Sequence, residues 1–282
     1  IVLAGNYLRN KDQRDKGQDF VDVAEIWGVI KTALGWRQVA NILVFLPGFA
    51  EILRLKEKIE ERTSECSVLV LHSNLTKEEQ DKVLFCSSKG NIILSTNIAE
   101  SSVTLPNVNV VIDSGLHRQM EFNGWNDVPT LRTKKISQAS AIQRAGRAAR
   151  VGEGRCYRMY TKYDYDGRLA FDQPEIVRTK LNQLSLELAA LGWEYLDLKW
   201  PTMPPSTAIH QSQTTLKALG LLVSQPESIG ITPLGLQMVE LPISLRLGIA
   251  MYWGVQLGVA KEVGSICLQI ENGGSLERLL KL

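Results

Sequence analysis

Hydrophobic residues in the first half of the chain form short, nearly continuous runs, separated by segments with helical spacing. The runs suited to buried strands are residues 1–7, 41–46, 67–71, 91–95 and 108–113. Between them, apolar positions recur every three or four residues in segments that begin near Asp19, Phe49 and Thr76. Thr76 and Glu79 have the spacing of a capping box. Short buried strands alternating with helices predict an α/β fold, a parallel sheet with helices on both faces.

Polar residues follow directly after most of the predicted strands. These strand ends carry Pro47-Gly48, His72-Ser73, Thr96-Asn97 and Asp113-Ser114-Gly115. The carboxyl ends of parallel strands meet at one edge of the sheet, where ligands bind in open α/β folds. The pattern therefore predicts a ligand site at this edge.

The segment from Arg118 to Ile136 has a different pattern, with two polar strand-like runs around Asn123-Gly124. Asn-Gly is a strong signal for a tight turn, so we predict a β-hairpin. A plain surface loop is the alternative.

The second half of the chain is mainly helical. Its predicted elements are helices at 175–191 and 206–219, a short hairpin around Gln225-Pro226, a helix from Pro233, and helical structure from Leu245 to Leu282. Two helices followed by a small hairpin are typical of a winged-helix domain.

Composition narrows the function classes. The 282 residues are 44% hydrophobic, with a net charge of +2, so affinity for a polyanion must come from local patches. The four cysteines are far apart and form no CxxC, which argues against a zinc site and for a reduced, cytoplasmic compartment. No histidine cluster suggests a metal site.

No apolar run reaches membrane-spanning length and no signal peptide is visible, so we expect no membrane partner. Because the chain opens at Ile1 within a strand-like run, we expect it to be part of a longer protein.

The stretch QRAGRAAR, residues 143–150, carries the most specific chemistry. On an α-helix, Gln143, Arg147 and Arg150 share one face, Arg144 points sideways, and Ala145, Ala148 and Ala149 face the other way. Guanidinium groups match phosphate oxygens, and a glutamine amide beside them could orient a water for attack on a phosphoryl group. The spacing by itself favours a solvated basic helix, and the surrounding motifs reverse that preference.

Four blocks, in this order, resemble the DEAH/RHA group of superfamily 2 RNA helicases, most of all its bacterial HrpB-like and HrpA-like members. The blocks are LVFLPG (43–48), LHSNL (71–75), STNIAESSVTLP (95–106) with VVIDSG (110–115), and ISQASAIQRAGRAAR (136–150). The resemblance implies a second RecA-like domain at 1–164, a winged-helix domain at 165–242 and the start of a helical-bundle domain at 243–282.

In that family, ATP binds between two RecA-like domains, and the first carries a phosphate loop and a DEAH box. Neither motif occurs in this chain. The resemblance therefore implies that Mg²⁺ with the phosphates of ATP is held mainly by a missing first RecA-like domain in the same protein. It also implies that the full-length protein hydrolyses ATP and that this chain alone does not.

The resemblance assigns residues to the nucleotide. Gln143 would help to position the attacking water, and Arg147 and Arg150 would contact the γ-phosphate as arginine fingers. The family clamps adenine with an aromatic residue at a position that falls on either Leu84 or Phe85.

The family also implies RNA as the partner, with DNA as an alternative, gripped mainly through its backbone. The candidate residues are Ser73, Thr96, Asn97, Ser102 and Thr104. The predicted hairpin would separate or guide strands. The alternative is that the hydroxyl groups cap turns and that Asn97 and Glu100 act as scaffold. Two departures from the family are Pro106, which removes a ribose contact, and Ala149, where glycine is usual.

Two functions remain open on the sequence. The first is an ATP-dependent RNA helicase, and the second is a non-catalytic binding module with a helicase-derived fold. An oxidoreductase that binds a dinucleotide is excluded, because no GxGxxG follows a strand.

Overall fold

The fold was analysed in a computed structural model, which describes residues 2–3, 21–36, 39–63, 66–86, 90–101, 103–122, 129–149, 152–225 and 229–271. The chain divides into two compact units, Ile1–Gln173 and Pro174–Leu282. The finer division into three domains stays a prediction.

The first unit alternates strands and helices as the apolar pattern predicts. Its elements, in chain order, are β1 (Val2–Leu3), α1 (Val23–Leu34), β2 (Asn41–Phe45), α2 (Phe49–Glu60), β3 (Ser67–Leu71), α3 (Lys77–Leu84), β4 (Asn91–Ser95), α4 (Ile98–Ser101), β5 (Val108–Asp113), β6 (Leu116–Phe122), β7 (Pro129–Lys135), α5 (Gln138–Gly146), a 3-10 helix (Arg147–Ala149), β8 (Arg155–Arg158) and α6 (Lys162–Asp166).

Within the described residues, six strands form one sheet in the order β1-β8-β5-β2-β4-β3, and every neighbouring pair is parallel. The register aligns the strand ends, because Phe45 pairs with both Ser95 and Asp113, and Ser95 also pairs with Leu71. The polar residues after these strands therefore meet at one edge, which confirms the predicted parallel sheet and its carboxyl edge.

Alternate residues of β2 enter two different hydrophobic clusters, as expected for a strand covered on both faces. Ile42 and Val44 pack with α1 and α2, whereas Leu43 and Phe45 pack with residues of α3 and α4. Every residue of β2 is buried, which explains why its sequence is apolar after Asn41.

Strands β6 and β7 pair antiparallel over their whole length, from Leu116 with Lys135 to Phe122 with Pro129. This confirms the predicted hairpin against the surface-loop alternative. The Asn123-Gly124 turn lies outside the described residues.

The second unit contains helices and one small hairpin. Its elements are α7 (Glu175–Arg178), α8 (Asn182–Ala190), a 3-10 helix (Tyr195–Asp197), α9 (Ser206–Ala218), β9 (Leu222–Ser224), β10 (Ile229–Ile231), α10 (Pro233–Glu240), α11 (Leu245–Gln256) and α12 (Ala260–Glu271). Strands β9 and β10 pair antiparallel, as predicted. The order of helices and hairpin agrees with a winged helix, which stays a prediction.

Two predicted helices of this unit are interrupted. The expected helix at 175–191 is wrong, because Thr179 is extended and separates α7 from α8. This break places Leu181 in a buried cluster with Leu188 and Tyr195. The helical segment from Leu245 is also broken, between α11 and α12, where Gly258 adopts a left-handed conformation with φ of 74°.

Among the described helices, none is by itself long and apolar enough to span a membrane. Helices α10 and α11 meet that test of length and composition only as a pair, which is bent by 118°.

Candidate functional site

Helix α5 and the 3-10 turn after it carry Gln143 and Arg147 to the carboxyl edge of the sheet. Ser137 caps its first turn by accepting a hydrogen bond from the backbone N–H of Ser140. Gln143, near the end of the helix, is exposed. Its position leaves the amide open to a ligand.

The α-helix ends at Gly146, and a 3-10 turn covers Arg147–Ala149, so the prediction of one α-helix to Arg150 is wrong. Ala145 and Ala148 nevertheless pack on the sheet, as predicted. Gly154 permits this packing, because a Cβ atom there would overlap the carbonyl group of Ala148. Arg150 and the side chain of Ala149 lie outside the described residues.

The Arg147 side chain binds the segment that contains α4. Its Nε donates to the carbonyl oxygen of Glu100 at 2.9 Å, and its Nη1 donates to that of Val103 at 2.5 Å. Arg147 is only 8% exposed, unlike Gln143. The two side chains therefore do not share one open face as the helical projection predicted.

Arg144 does not point sideways as predicted, since its side chain is completely buried. Its Nε donates to Glu100 Oε2 at 3.0 Å, and its Nη1 donates to Asp113 Oδ1 at 2.8 Å and to the carbonyl oxygen of Leu116 at 3.2 Å. Burial alone would lower the pKa of the guanidinium, but the two carboxylates raise it above its usual value. Arg144 thus joins α5 to α4, to the end of β5 and to the start of β6.

The candidate nucleic-acid residues differ in exposure. Ser73, Asn97 and Thr104 are exposed, whereas Thr96 is buried and Ser102 lies outside the described residues. The backbone N–H groups of Ala99 and Glu100 donate to the carbonyl oxygens of Thr96 and Asn97, which tightens the turn into α4. Glu100 acts as scaffold, one of the alternatives considered, although its partner Arg144 lies in a distant helix.

Comparison with known proteins agrees with this geometry. Residues 28–152 match the helicase conserved C-terminal domain. The chain is 35% identical over 246 residues to DExH-box ATP-dependent RNA helicase DExH2 of Arabidopsis thaliana, with 83% of this chain and 15% of that protein aligned. It is 33% identical over 229 residues to the ATP-dependent RNA helicase HrpA homolog of Haemophilus influenzae, with 79% and 18% aligned.

The crystal structure of the Escherichia coli DEAH/RHA helicase HrpB superposes with a TM-score of 0.76 at 29% sequence identity. The superposition covers 86% of this chain and 31% of HrpB. The chain belongs to the DEAH/RHA group of helicases. It spans less than a fifth of the length of the two curated relatives and less than a third of HrpB.

In this DEAH/RHA chain, the two candidates for the adenine clamp have different surroundings. Phe85 follows α3 and is 80% exposed, whereas Leu84 is half-buried and packs against the hydrophobic cluster beneath the sheet. An exposed aromatic ring is free to stack on a base, so the structure favours Phe85.

The sequence reasoning did not find a second polar cluster at the same edge of the DEAH/RHA domain. Arg118 of β6 forms an ion pair with Glu51 of α2 at 3.3 Å, and its guanidinium lies where a side chain at Gly48 would stand. His72 packs against Phe49, with ring centroids 5.1 Å apart, and burial, together with the charge of Arg118, lowers its pKa. In the sequence, the signs of this cluster were the glycine in LVFLPG and the histidine in LHSNL.

The carboxylates at this edge are not arranged for a metal ion. Asp113 and Glu100 both bind Arg144, and in the described part of the chain no three His, Cys, Asp or Glu side chains are grouped as metal ligands. These residues do not fit a magnesium site of their own.

Proposed function

We propose that this chain is the second RecA-like domain, with the segments that follow it, of an ATP-dependent RNA helicase. One observation carries the proposal. Helix α5 presents Gln143 at the carboxyl edge, while Arg144 of the same helix and Arg147 of the 3-10 turn that continues it bind the segment that bears Asn97 and Thr104. A single helix therefore joins the candidate nucleotide residues to the candidate nucleic-acid residues.

The relatives named above support ATP and RNA as ligands, because both are ATP-dependent RNA helicases by name. We propose that the RNA backbone contacts the exposed side chains of Ser73, Asn97 and Thr104, together with Ser102. Thr96, being buried, would contribute through its backbone or by shaping the turn. DNA remains an alternative partner, since backbone contacts alone discriminate weakly between the two.

For ATP, we propose that Gln143 orients the attacking water, that Arg147 and Arg150 contact the γ-phosphate, and that Phe85 stacks on adenine. ATP bound with Mg²⁺ supplies the phosphoryl group, and the metal's ligands would come from the first RecA-like domain. Arg147 already donates to the carbonyl oxygens of Glu100 and Val103. A phosphate contact by Arg147 would thus compete directly with its hold on the α4 segment.

We propose three domains, at 1–164, 165–242 and 243–282, the second a winged helix and the third the start of a helical bundle. We also propose a cytoplasmic location. The proposal is supported by the four cysteines, Cys66, Cys86, Cys156 and Cys267, which all lie in the described part of the chain and are not joined by disulfide bonds.

The test separates ATP hydrolysis from RNA binding in the full-length protein. Gln143 is the better catalytic probe, because replacing Arg147 would also release the α4 segment. We expect Gln143→Ala to lower kcat for ATP at least tenfold, about 1.4 kcal/mol, with RNA affinity little changed. We expect the double variant Asn97→Ala/Thr104→Ala to weaken RNA binding by about tenfold per lost contact.

The matched control is Gln256→Ala, an exposed glutamine at the end of α11. This variant should change neither kcat for ATP nor the affinity for RNA. ATP hydrolysis that is absent from the wild-type protein, with RNA binding retained, would favour the non-catalytic binding module.

A further inference from the structure

The β6–β7 hairpin is held at both of its ends by one guanidinium group. We call Gly115 and Ile136, which precede β6 and follow β7, the hairpin feet. The backbone N–H of Ile136 donates to the carbonyl oxygen of Gly115 at 3.0 Å. Arg168 Nη1 donates to the same oxygen at 2.8 Å and to the carbonyl oxygen of Ile136 at 3.3 Å. The direction in which the hairpin leaves the domain therefore depends on where Arg168 is held.

Arg168 is fixed from two sides. Its guanidinium lies over the ring of Tyr160 at 3.8 Å from the centroid, and Nη2 donates to Asp164 Oδ2 at 2.7 Å. Gly115 permits this stack, since it has a φ of 73° and a Cβ atom there would overlap the Tyr160 ring and stand 2.7 Å from Arg168 Nη2. The side chain of Arg168 is only 3% exposed.

The same tyrosine connects the hairpin feet to α5. Tyr160 donates its hydroxyl proton to Asp113 Oδ2 at 2.8 Å, and Arg144 binds the other oxygen of this carboxylate. Arg144 directly follows Gln143 in α5. A continuous series of contacts, Arg168–Tyr160–Asp113–Arg144, thus runs from the hairpin feet to the proposed nucleotide residue.

The charge states of Asp164 and Tyr160 preserve the contacts of this series at neutral pH. Asp164 also accepts a hydrogen bond from Lys135 of β7 at 2.6 Å. Burial alone would raise the pKa of Asp164, but hydrogen bonds from Lys135 and Arg168 lower it below its usual value. Burial, together with the charge of Asp113, raises the pKa of Tyr160, so its hydroxyl stays a donor.

A contribution to fold stability is by itself a weak explanation for the buried series Arg168–Tyr160–Asp113–Arg144. Buried ion pairs often stabilise a fold no better than apolar side chains of the same volume, but they allow few alternative geometries. Tyr160, Asp113 and Arg144 are each at most 4% exposed. The series therefore defines one geometry for the hairpin relative to α5.

We propose that Arg168 and Tyr160 are positioning residues that couple the hairpin to α5, so that ATP hydrolysis is used for strand separation. This proposal rests on the helicase function proposed above. It assigns to these two side chains no contact with nucleotide or RNA. It makes a specific claim, that loss of the contacts uncouples hydrolysis from strand separation while hydrolysis itself continues.

Two conservative variants of the full-length protein test the claim. Tyr160→Phe keeps the ring beneath Arg168 and removes only the hydrogen bond to Asp113. Arg168→Lys keeps the positive charge beside Asp164, but an ammonium group cannot reproduce the planar stack and both carbonyl contacts. The control is Tyr163→Phe, which removes a hydroxyl group from a tyrosine that is 90% exposed.

Each variant is assayed for ATP hydrolysis stimulated by single-stranded RNA, and for separation of an RNA duplex with a single-stranded overhang. For Tyr160→Phe and Arg168→Lys, we expect hydrolysis within about twofold of wild type and at least tenfold fewer base pairs opened per ATP. Tyr163→Phe should match wild type in both assays. Melting temperatures identify a variant that fails to fold, in which case Tyr160→Phe, the smaller change, decides.

A parallel loss of hydrolysis and strand separation would overturn the coupling role and leave the series a purely structural feature. Unchanged base pairs per ATP in both variants would overturn it as well. A wild-type protein without RNA-stimulated hydrolysis would overturn the proposed function and this inference with it, so the two failures are distinguishable.

Discussion

Arg144 shows how much of the site depends on one side chain. Among the described residues it is the largest side chain with no exposed surface, and its guanidinium also lies over the ring of Phe45 at 4.8 Å. Its acidic partners are 31 and 44 residues away in the sequence. Helical spacing places residues around one helix and carries no information about such distant partners. The sequence therefore predicted the motif but not the burial of its first arginine.

We expect Arg144→Met to destabilise the chain by about 3–5 kcal/mol, because it leaves the fully buried Asp113 without its cation. Chemical denaturation of the purified chain measures the loss. Adding Asp113→Asn should recover part of it, since the amide carries no charge to leave unpaired. Equal losses in the single and double variants would show that packing volume, and not charge, governs this position.

From the lowered pKa of His72 we predict that the stability of the fold depends on pH. Its pKa is lowered in the folded state by burial and by Arg118, so the unfolded chain takes up a proton near pH 6.5, and the folded chain only at lower pH. The free energy of unfolding should therefore fall as pH decreases from about 7 to about 5.

His72→Asn keeps an acceptor for the N–H of Asn74, which bonds His72 Nδ1 at 3.0 Å, and should flatten this decrease. The measurement is denaturant unfolding at several pH values. His210→Asn, at an exposed position of α9, is the control. A slope that persists in His72→Asn would assign the dependence to other groups.

At the scale of elements, fully apolar runs were the most informative part of the sequence. The bounds predicted for β3, β4 and β5 agree with the structure. For β4 and β5, which lie inside the described sheet, the reason is that strands covered on both faces are mainly apolar. The break at Thr179 was missed, since both of its flanking helices keep helical spacing and no glycine or proline marks the extended residue in the sequence. The end of α5 at Gly146 was also missed, because the close approach of Gly154 to Ala148 joins two segments that helical spacing does not relate.

Helix α3 depends on its capping box, because Val83 is its single fully buried residue among those described. Thr76 accepts a hydrogen bond from the N–H of Glu79, and the Glu79 carboxylate accepts one from the N–H of Thr76. We expect Thr76→Ala to destabilise the helix by about 1 kcal/mol and to speed amide exchange across its last turn, beside Phe85. Thr76→Ser keeps the hydroxyl group and should behave as wild type. Equal exchange in all three proteins would show that tertiary packing holds α3 without its cap.

At the scale of the whole molecule, the chain contains part of the proposed nucleotide site. The structure describes a carboxyl edge with Gln143, Arg144 and Arg147, and the sequence contains no phosphate loop. Backbone N–H groups and a lysine from such a loop hold the β- and γ-phosphates in nucleotide hydrolases. The chain is therefore expected to depend on a further domain for hydrolysis.

We expect no ATP turnover by this chain alone, with or without RNA, in an assay of phosphate release at saturating ATP and Mg²⁺. Gln143→Ala provides the control for a contaminating hydrolase, whose activity would persist in that variant. Turnover that the wild-type chain shows and Gln143→Ala loses would mean that these 282 residues hold the phosphates by themselves.

Because β6 and β7 pair along their whole length, the hairpin can rotate about its base as one rigid arm. From Leu116 to Phe122 the strand extends about 20 Å, at roughly 3.4 Å per residue. Turning such an arm by about 10° at its base moves its far end by about 3.5 Å, close to the rise of one nucleotide in a DNA strand. Angular changes too small to disturb the packing of the sheet are thus magnified, at the far end of this arm, to the dimension of a single base.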